Sequence, residues 1–206
     1  PDRMRVTSFD AIIDLLRRQL QWQPRTHNGV FWHKRKYPWQ VWLDGLYMGA
    51  PFYAEYAALF AQNADFDDIA RQFRESFTKL HDADTGLLYH GWDESRVQRW
   101  SDPETGRSPG FWTRSLGWYS MALVDSYEHF PVEHPGRTEF ARMFAELSEA
   151  LRAVRDEPSK LWWQVPDQGG REGNYLEASG SAMIAYAWAK GARLGMLEPR
   201  YRELAK

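Results

Sequence analysis

An aspartate set among large apolar and aromatic side chains is the first feature of this sequence that could do chemistry: Trp42-Leu43-Asp44-Gly45-Leu46-Tyr47-Met48-Gly49-Ala50-Pro51. A carboxyl group is costly to bury unless it is paired. Desolvation also holds back its ionisation, which suits a proton donor working near neutral pH. Asp44 is therefore the leading catalytic candidate, with a helix N-cap as the structural alternative. Around it stand His33, Lys34, Tyr37 and Trp39. Two further clusters follow: His90 with Trp92 and Asp93, and Arg114 between Trp112 and Trp118. Each histidine could hydrogen-bond a ligand or serve structurally, whereas a guanidinium flanked by indoles suits a planar carboxylate. Glu177 reads as a first-turn acid favoured by its helix dipole, and the charge-rich stretch 93–107 as a solvated loop.

The elements that must position these groups repeat. Three segments carry apolar residues at helical spacing: Phe9, Ile12, Ile13, Leu16 and Leu20; then Phe66, Ile69, Phe73, Phe77 and Leu80; then Phe140, Met143, Phe144, Leu147, Leu151 and Val154. Each has charge on its opposite face, as a half-solvated helix should. An aromatic loop signature follows each one: Val30-Phe31-Trp32-His33, Leu87-Leu88-Tyr89-His90 and Leu161-Trp162-Trp163-Gln164. After each loop comes a helix rich in apolar and small residues, near 42–61, 112–130 and 175–191. Aligning these through Met48, Met121 and Met183 puts Asp44, Gly117 and Ser179 at one position. The chain is thus expected to be all-α, a single domain over 1–206 of three αα-hairpins with little or no sheet. Three hairpins do not close a ring, so the domain is expected to be a portion of a larger toroid, or to cover its exposed inner helices by self-association.

Composition narrows the function classes. A formal net charge of -2 argues against nucleic-acid binding. With no cysteine there is no disulfide framework or thiol nucleophile. There is no H-E-x-x-H spacing, phosphate-binding glycine loop or G-x-S-x-G elbow, so neither a metal nor a cofactor is expected. No apolar run is long enough for a membrane span and the first residues do not read as a signal peptide, so a cytoplasmic location is expected. Eleven Trp, ten Tyr and eleven Phe are more than a core of this size needs; flat faces beside hydrogen-bonding groups suit sugars.

The runs Phe31-Trp32-His33-Lys34, Trp42-Leu43-Asp44-Gly45-Leu46-Tyr47-Met48, Trp112-x-Arg114 with Gly117-Trp118, and Asn174-Tyr175-Leu176-Glu177-Ala178-Ser179 resemble the unsaturated rhamnogalacturonyl hydrolases of glycoside hydrolase family 105, related to the unsaturated glucuronyl hydrolases of family 88. The resemblance implies part of an (α/α)6 barrel. It also implies removal of a Δ4,5-unsaturated uronic acid from the non-reducing end of lyase-generated oligosaccharides, by hydration of the C4=C5 bond. Carried over residue by residue, Asp44 is implied as the catalytic acid/base, His33, Lys34 and His90 as sugar-pocket residues, and Trp112, Arg114 and Trp118 as the segment that stacks on and hydrogen-bonds the sugar. The family also has a second aspartate upstream, which neither Asp10 nor Asp14 replaces here. Two rivals stand beside this reading: a non-catalytic carbohydrate-binding or scaffold fragment of such a barrel, and a toroidal polysaccharide lyase.

Overall fold

Amphipathic and apolar helices alternate along the chain. The structure, a computed structural model, describes residues 8–60 and 62–206. Its outer helices are α1 (Ser8–Trp22), α3 (Asn63–Leu80) and α5 (Gly136–Ala153), and its inner helices are α2 (Leu43–Leu59), α4 (Thr113–Tyr127) and α6 (Ala178–Arg193); a short α7 (Arg200–Leu204) follows. The inner helices pack side by side, α4 between α2 and α6, with α3 and α5 behind them. Phe66, Ile69, Phe73, Phe77 and Leu80 of α3 and Phe140, Met143, Phe144, Leu147 and Leu151 of α5 are all buried, as the helical spacing demands. Their rings interlock, Phe73 standing 4.5 Å from Phe140 and edge-on to Tyr119 of α4.

One expectation changes. Among the described residues the apolar stripe of α1 is covered only at its end, where Leu20 packs against the core, while Phe9, Ile12 and Leu16 are 73%, 53% and 40% exposed. Polar contacts also hold this helix, with the Arg17 guanidinium donating to both Asp65 oxygens at 3.0 and 2.8 Å and lying 4.8 Å from the Tyr53 ring centre. The sheet among the described residues is as small as expected, one antiparallel ladder of β1 (Gln40–Trp42) with β2 (Gly91–Asp93), in the register Gln40↔Asp93, Val41↔Trp92 and Trp42↔Gly91. It joins the loop before α2 to the loop of the next hairpin.

The loops after the outer helices share a tight turn. Asp82 accepts from the Thr85 amide and hydroxyl, and Asp156 accepts likewise from Ser159. Such aspartate turns substitute a side chain for a backbone turn. The residue that then reverses the chain is left-handed: Gly86 in one loop and Lys160 in the other, with φ of 73° and 62°.

Candidate active site

Asp44 is not the N-cap of its helix. Trp42 holds that place, in extended conformation and with no side-chain cap bond, which leaves Asp44 as the second helical residue. Its carboxylate accepts a 3.1 Å hydrogen bond at Oδ2 from His90 Nε2. Backbone pairing makes this meeting possible: Trp42 pairs with Gly91, and the Leu43 amide donates to the His90 carbonyl at 3.1 Å. The ladder therefore carries the second hairpin's histidine to the mouth of the first hairpin's inner helix.

The electrostatics correct the expectation drawn from composition. Burial pushes the Asp44 carboxyl up, but the hydrogen bond and charge of His90, the aspartate's own backbone amide and the charge of His33 outweigh it. Asp44 is held below the ordinary aspartate range and is ionised at neutral pH. His33 behaves oppositely: burial, opposed by the nearby Asp44 charge and reinforced by Lys34 and His90, brings it down to about 4. Its ring is flat against Trp42, with centroids 4.4 Å apart and planes 13° apart, and Tyr37 stacks on Trp42 at 5.1 Å. Gly45 admits the imidazole, since a Cβ there would lie 2.9 Å from His33 Nδ1.

From His90 the aromatic wall continues onto the second hairpin. Trp112 meets His90 edge-on at 4.9 Å, and the Arg114 guanidinium lies over the Trp112 ring, 4.5 Å from its centre. One turn further along α4, Trp118 packs on Tyr47 of α2 at 4.9 Å. The buried Glu177, which is the N-cap of α6, pairs with Arg114 at 3.6 Å. One continuous surface thus holds an ionised carboxylate, two imidazoles, a guanidinium and several indole faces. That set can transfer a proton, bind an anion and stack on a flat, hydroxylated ring. A cavity of about 260 Å³ adjoins it on the α1 side of His33, between Trp22, Trp32, Arg35 and Met48.

Of the residues expected at the site, Asp44, His33, His90, Trp112 and Arg114 form this wall, and Trp118 stands a turn away on the same helix. Lys34 is exposed, with its ammonium 5.9 Å from the Tyr37 ring. Trp92 and Asp93 are elsewhere. Trp92 is buried and donates to the Thr105 carbonyl. Asp93, fully buried, accepts from the Ser95 amide and hydroxyl and the Gln98 amide. The charged stretch 93–107 is therefore built around a buried carboxylate rather than being solvated throughout. Sequence reasoning missed Tyr47, although its i+3 spacing from Asp44 puts both on one helical face. It weighed Glu177 as a first-turn acid against a ligand contact and did not foresee the pairing with Arg114, which is distant in sequence.

The methionine alignment misplaces α4 by a turn. Counted from the helix starts, Trp42, Trp112 and Glu177 are the N-caps, and Asp44, Arg114 and Ser179 are the second helical residues. Space agrees with this count, because a Cβ on Gly180 would lie 2.9 Å from the Arg114 Cα.

The family model for Glycosyl Hydrolase Family 88 matches residues 4–206. Protein Atu3128 of Agrobacterium fabrum is 42% identical over 156 residues, which is 73% of this chain and 63% of that protein. An unsaturated 3S-rhamnoglycuronyl hydrolase of Formosa agariphila is 24% identical over 161 residues, 76% of this chain and 41% of the relative. Among solved structures, a family 105 glycoside hydrolase of C. acetobutylicum superimposes with a TM-score of 0.92 at 51% identity, over 96% of this chain and 54% of the other. The chain thus spans roughly half to two thirds of the first two relatives matched by structure and by sequence, and its three-hairpin arc is part of an (α/α)6 barrel.

Proposed function

The chain belongs to Glycosyl Hydrolase Family 88, and we propose that its cleft binds a Δ4,5-unsaturated uronic acid at the end of an oligosaccharide, with Asp44 supplying the proton that hydrates the C4=C5 bond. The observation that carries this reading is the Asp44–His90 pair set in an aromatic wall with Arg114 beside it. Rings face the sugar, the guanidinium meets its carboxylate, and the acid addresses its double bond.

In this scheme Asp44 protonates C4, and the positive charge is shared by C5 and the ring oxygen. Asp44, ionised again, takes a proton from the water that attacks C5. The hemiketal so formed opens and expels the aglycone. Because Asp44 is ionised in the empty cleft, it must first gain a proton. Binding favours this step: the sugar excludes water and places a second negative charge nearby, and both disfavour the carboxylate. The wider substrate class is the family of lyase-generated fragments, such as the unsaturated rhamnogalacturonan disaccharide from pectin. Three hairpins make half of a six-hairpin ring, so this arc walls the ligand from one side.

The test is incubation with lyase-digested pectin, following the ultraviolet absorbance of the C4=C5 uronate bond. Loss of absorbance with the parent chain and none with Asp44→Asn, at an unchanged helical circular dichroism spectrum, supports the reading. Turnover by Asp44→Asn at the parent rate removes Asp44 from the acid role, and a rise in absorbance identifies a lyase instead.

A further inference from the structure

Glu177 is buried and unused by the mechanism above. One oxygen, Oε2, accepts the Gly180 amide and caps α6. The other, Oε1, accepts the Ser179 hydroxyl at 2.6 Å and faces Arg114 Nη1 at 3.6 Å. Arg114 Nη1 in turn donates to Ser179 Oγ at 3.4 Å. The arginine is therefore gripped on three sides: Trp112 under its plane, and Glu177 and Ser179 at one nitrogen. Its side chain is still 39% exposed while that of Glu177 is 7% exposed, so the remaining N–H edge is left for the cleft. The loop that delivers Glu177 is tied to the arginine's helix. Thr113 donates its amide to the Gln164 carbonyl and its hydroxyl to the Trp163 carbonyl, and the Glu177 amide donates to the Trp162 carbonyl.

We propose that Glu177 is a positioning residue for substrate: it holds the Arg114 guanidinium over Trp112 in the orientation that receives the uronate carboxylate. This inference rests on the reading of the cleft as an unsaturated-uronate site. A long, flexible cation loses rotamer freedom when it binds an anion, and one held beforehand loses less. The pairing also leaves Arg114 partly neutralised, so its contribution is directional hydrogen bonding more than net charge. The third hairpin would thus act on substrate through a side chain of the second.

The experiment is a double-mutant cycle on the whole chain, reading the Kd of the unsaturated galacturonyl-rhamnose disaccharide by tryptophan fluorescence, together with KM and kcat. Glu177→Ser keeps an oxygen suited to capping α6 but cannot reach Arg114. Glu177→Gln keeps the volume and an acceptor for Gly180, and stands in should the serine variant fail to fold. Each is expected to raise Kd and KM roughly tenfold, with kcat changed far less and a melting temperature near the parent's. In an Arg114→Ala background the same change is expected to add nothing. An equal weakening in that background, or an unchanged Kd in the single variants, overturns the positioning role while leaving Arg114 as a sugar contact. An unchanged Kd in Arg114→Ala alone overturns the reading of the cleft, and this inference with it.

Discussion

Replacing Gly180 by alanine sets two effects of opposite sign against each other. Alanine is the better helix former, by about 1 kcal/mol in a helix interior and less in a first turn. Against this, the new Cβ would lie 2.9 Å from both the Cα and the backbone N of Arg114, and 2.6 Å from Glu177 Oε2. The Arg114 contacts are backbone, so no rotamer change relieves them. Reaching ordinary contact at 3.4 Å requires α4 and α6 to separate by roughly 0.5 Å. Overpacking of this kind costs about 1–3 kcal/mol, which exceeds the propensity gain. The expected net loss is about 1–2 kcal/mol, read as a fall in melting temperature of roughly 2–8 °C for a chain of this size. Urea unfolding followed by tryptophan fluorescence measures it, with Gly110→Ala and Gly170→Ala as controls, since a Cβ at either meets nothing within 4 Å. A Gly180→Ala chain as stable as the parent, or more stable, would refute the claim that these helices meet through bare backbone.

Arg114→Ala should raise KM for the unsaturated disaccharide by about tenfold or more while altering stability less, as the buried Glu177 keeps its bonds to Ser179 and Gly180; steady-state kinetics paired with thermal unfolding measure both. In His90→Gln, the loss of the imidazole's charge leaves burial as the dominant influence on Asp44, so its pKa rises. An acid that must be protonated loses activity as pH rises through its pKa, so the alkaline limb of kcat/KM should move upward even as the overall rate falls. Burial brings His33 down to about 4 from the ordinary imidazole value of 6.5. The unfolded chain therefore binds the proton first, and stability should decline as pH falls from about 6.5 to about 4; denaturant titrations of His33→Phe should lack that slope. Proton uptake on sugar binding, expected of an Asp44 that is ionised at rest, is measurable by calorimetry in buffers of differing ionisation enthalpy.

The helices were legible because their signal is local. Period-3.6 apolar residues with charge opposite mark α3 and α5, and small-residue runs mark the inner helices. What escaped was set by pairing across the sequence. Asp44 reads as a desolvated acid until the β1–β2 ladder delivers His90 to it, and three-residue strands leave too short a pattern to announce themselves. Asp93 looks like part of a hydrophilic run, yet a loop folding back on itself gives it enough donors to be fully buried. The start of α4 near residue 112 was legible, but its alignment with the other inner helices through Met121 slid by a turn, because a periodic pattern shifts without penalty whereas the extended backbone of Trp112 at the N-cap does not. The α1 stripe is the reverse case: periodicity correctly announced an apolar face, and among the described residues the core meets it at Leu20 while Phe9, Ile12 and Leu16 are exposed.

The same clasp occurs twice. The Leu43 amide donates to the His90 carbonyl, and the Thr113 amide donates to the Gln164 carbonyl, so each inner helix hangs its first turn on the loop of the hairpin that follows. The arc is therefore directional, like roof tiles laid from one end. Trimming the chain behind α5 would unseat Arg114 and leave Asp44 on its hook, whereas cutting behind α3 would remove Arg114 altogether and take His90 away from Asp44. Exchanging the downstream tile would thus change the surroundings of Arg114 while leaving the Asp44–His90 pair upstream in place.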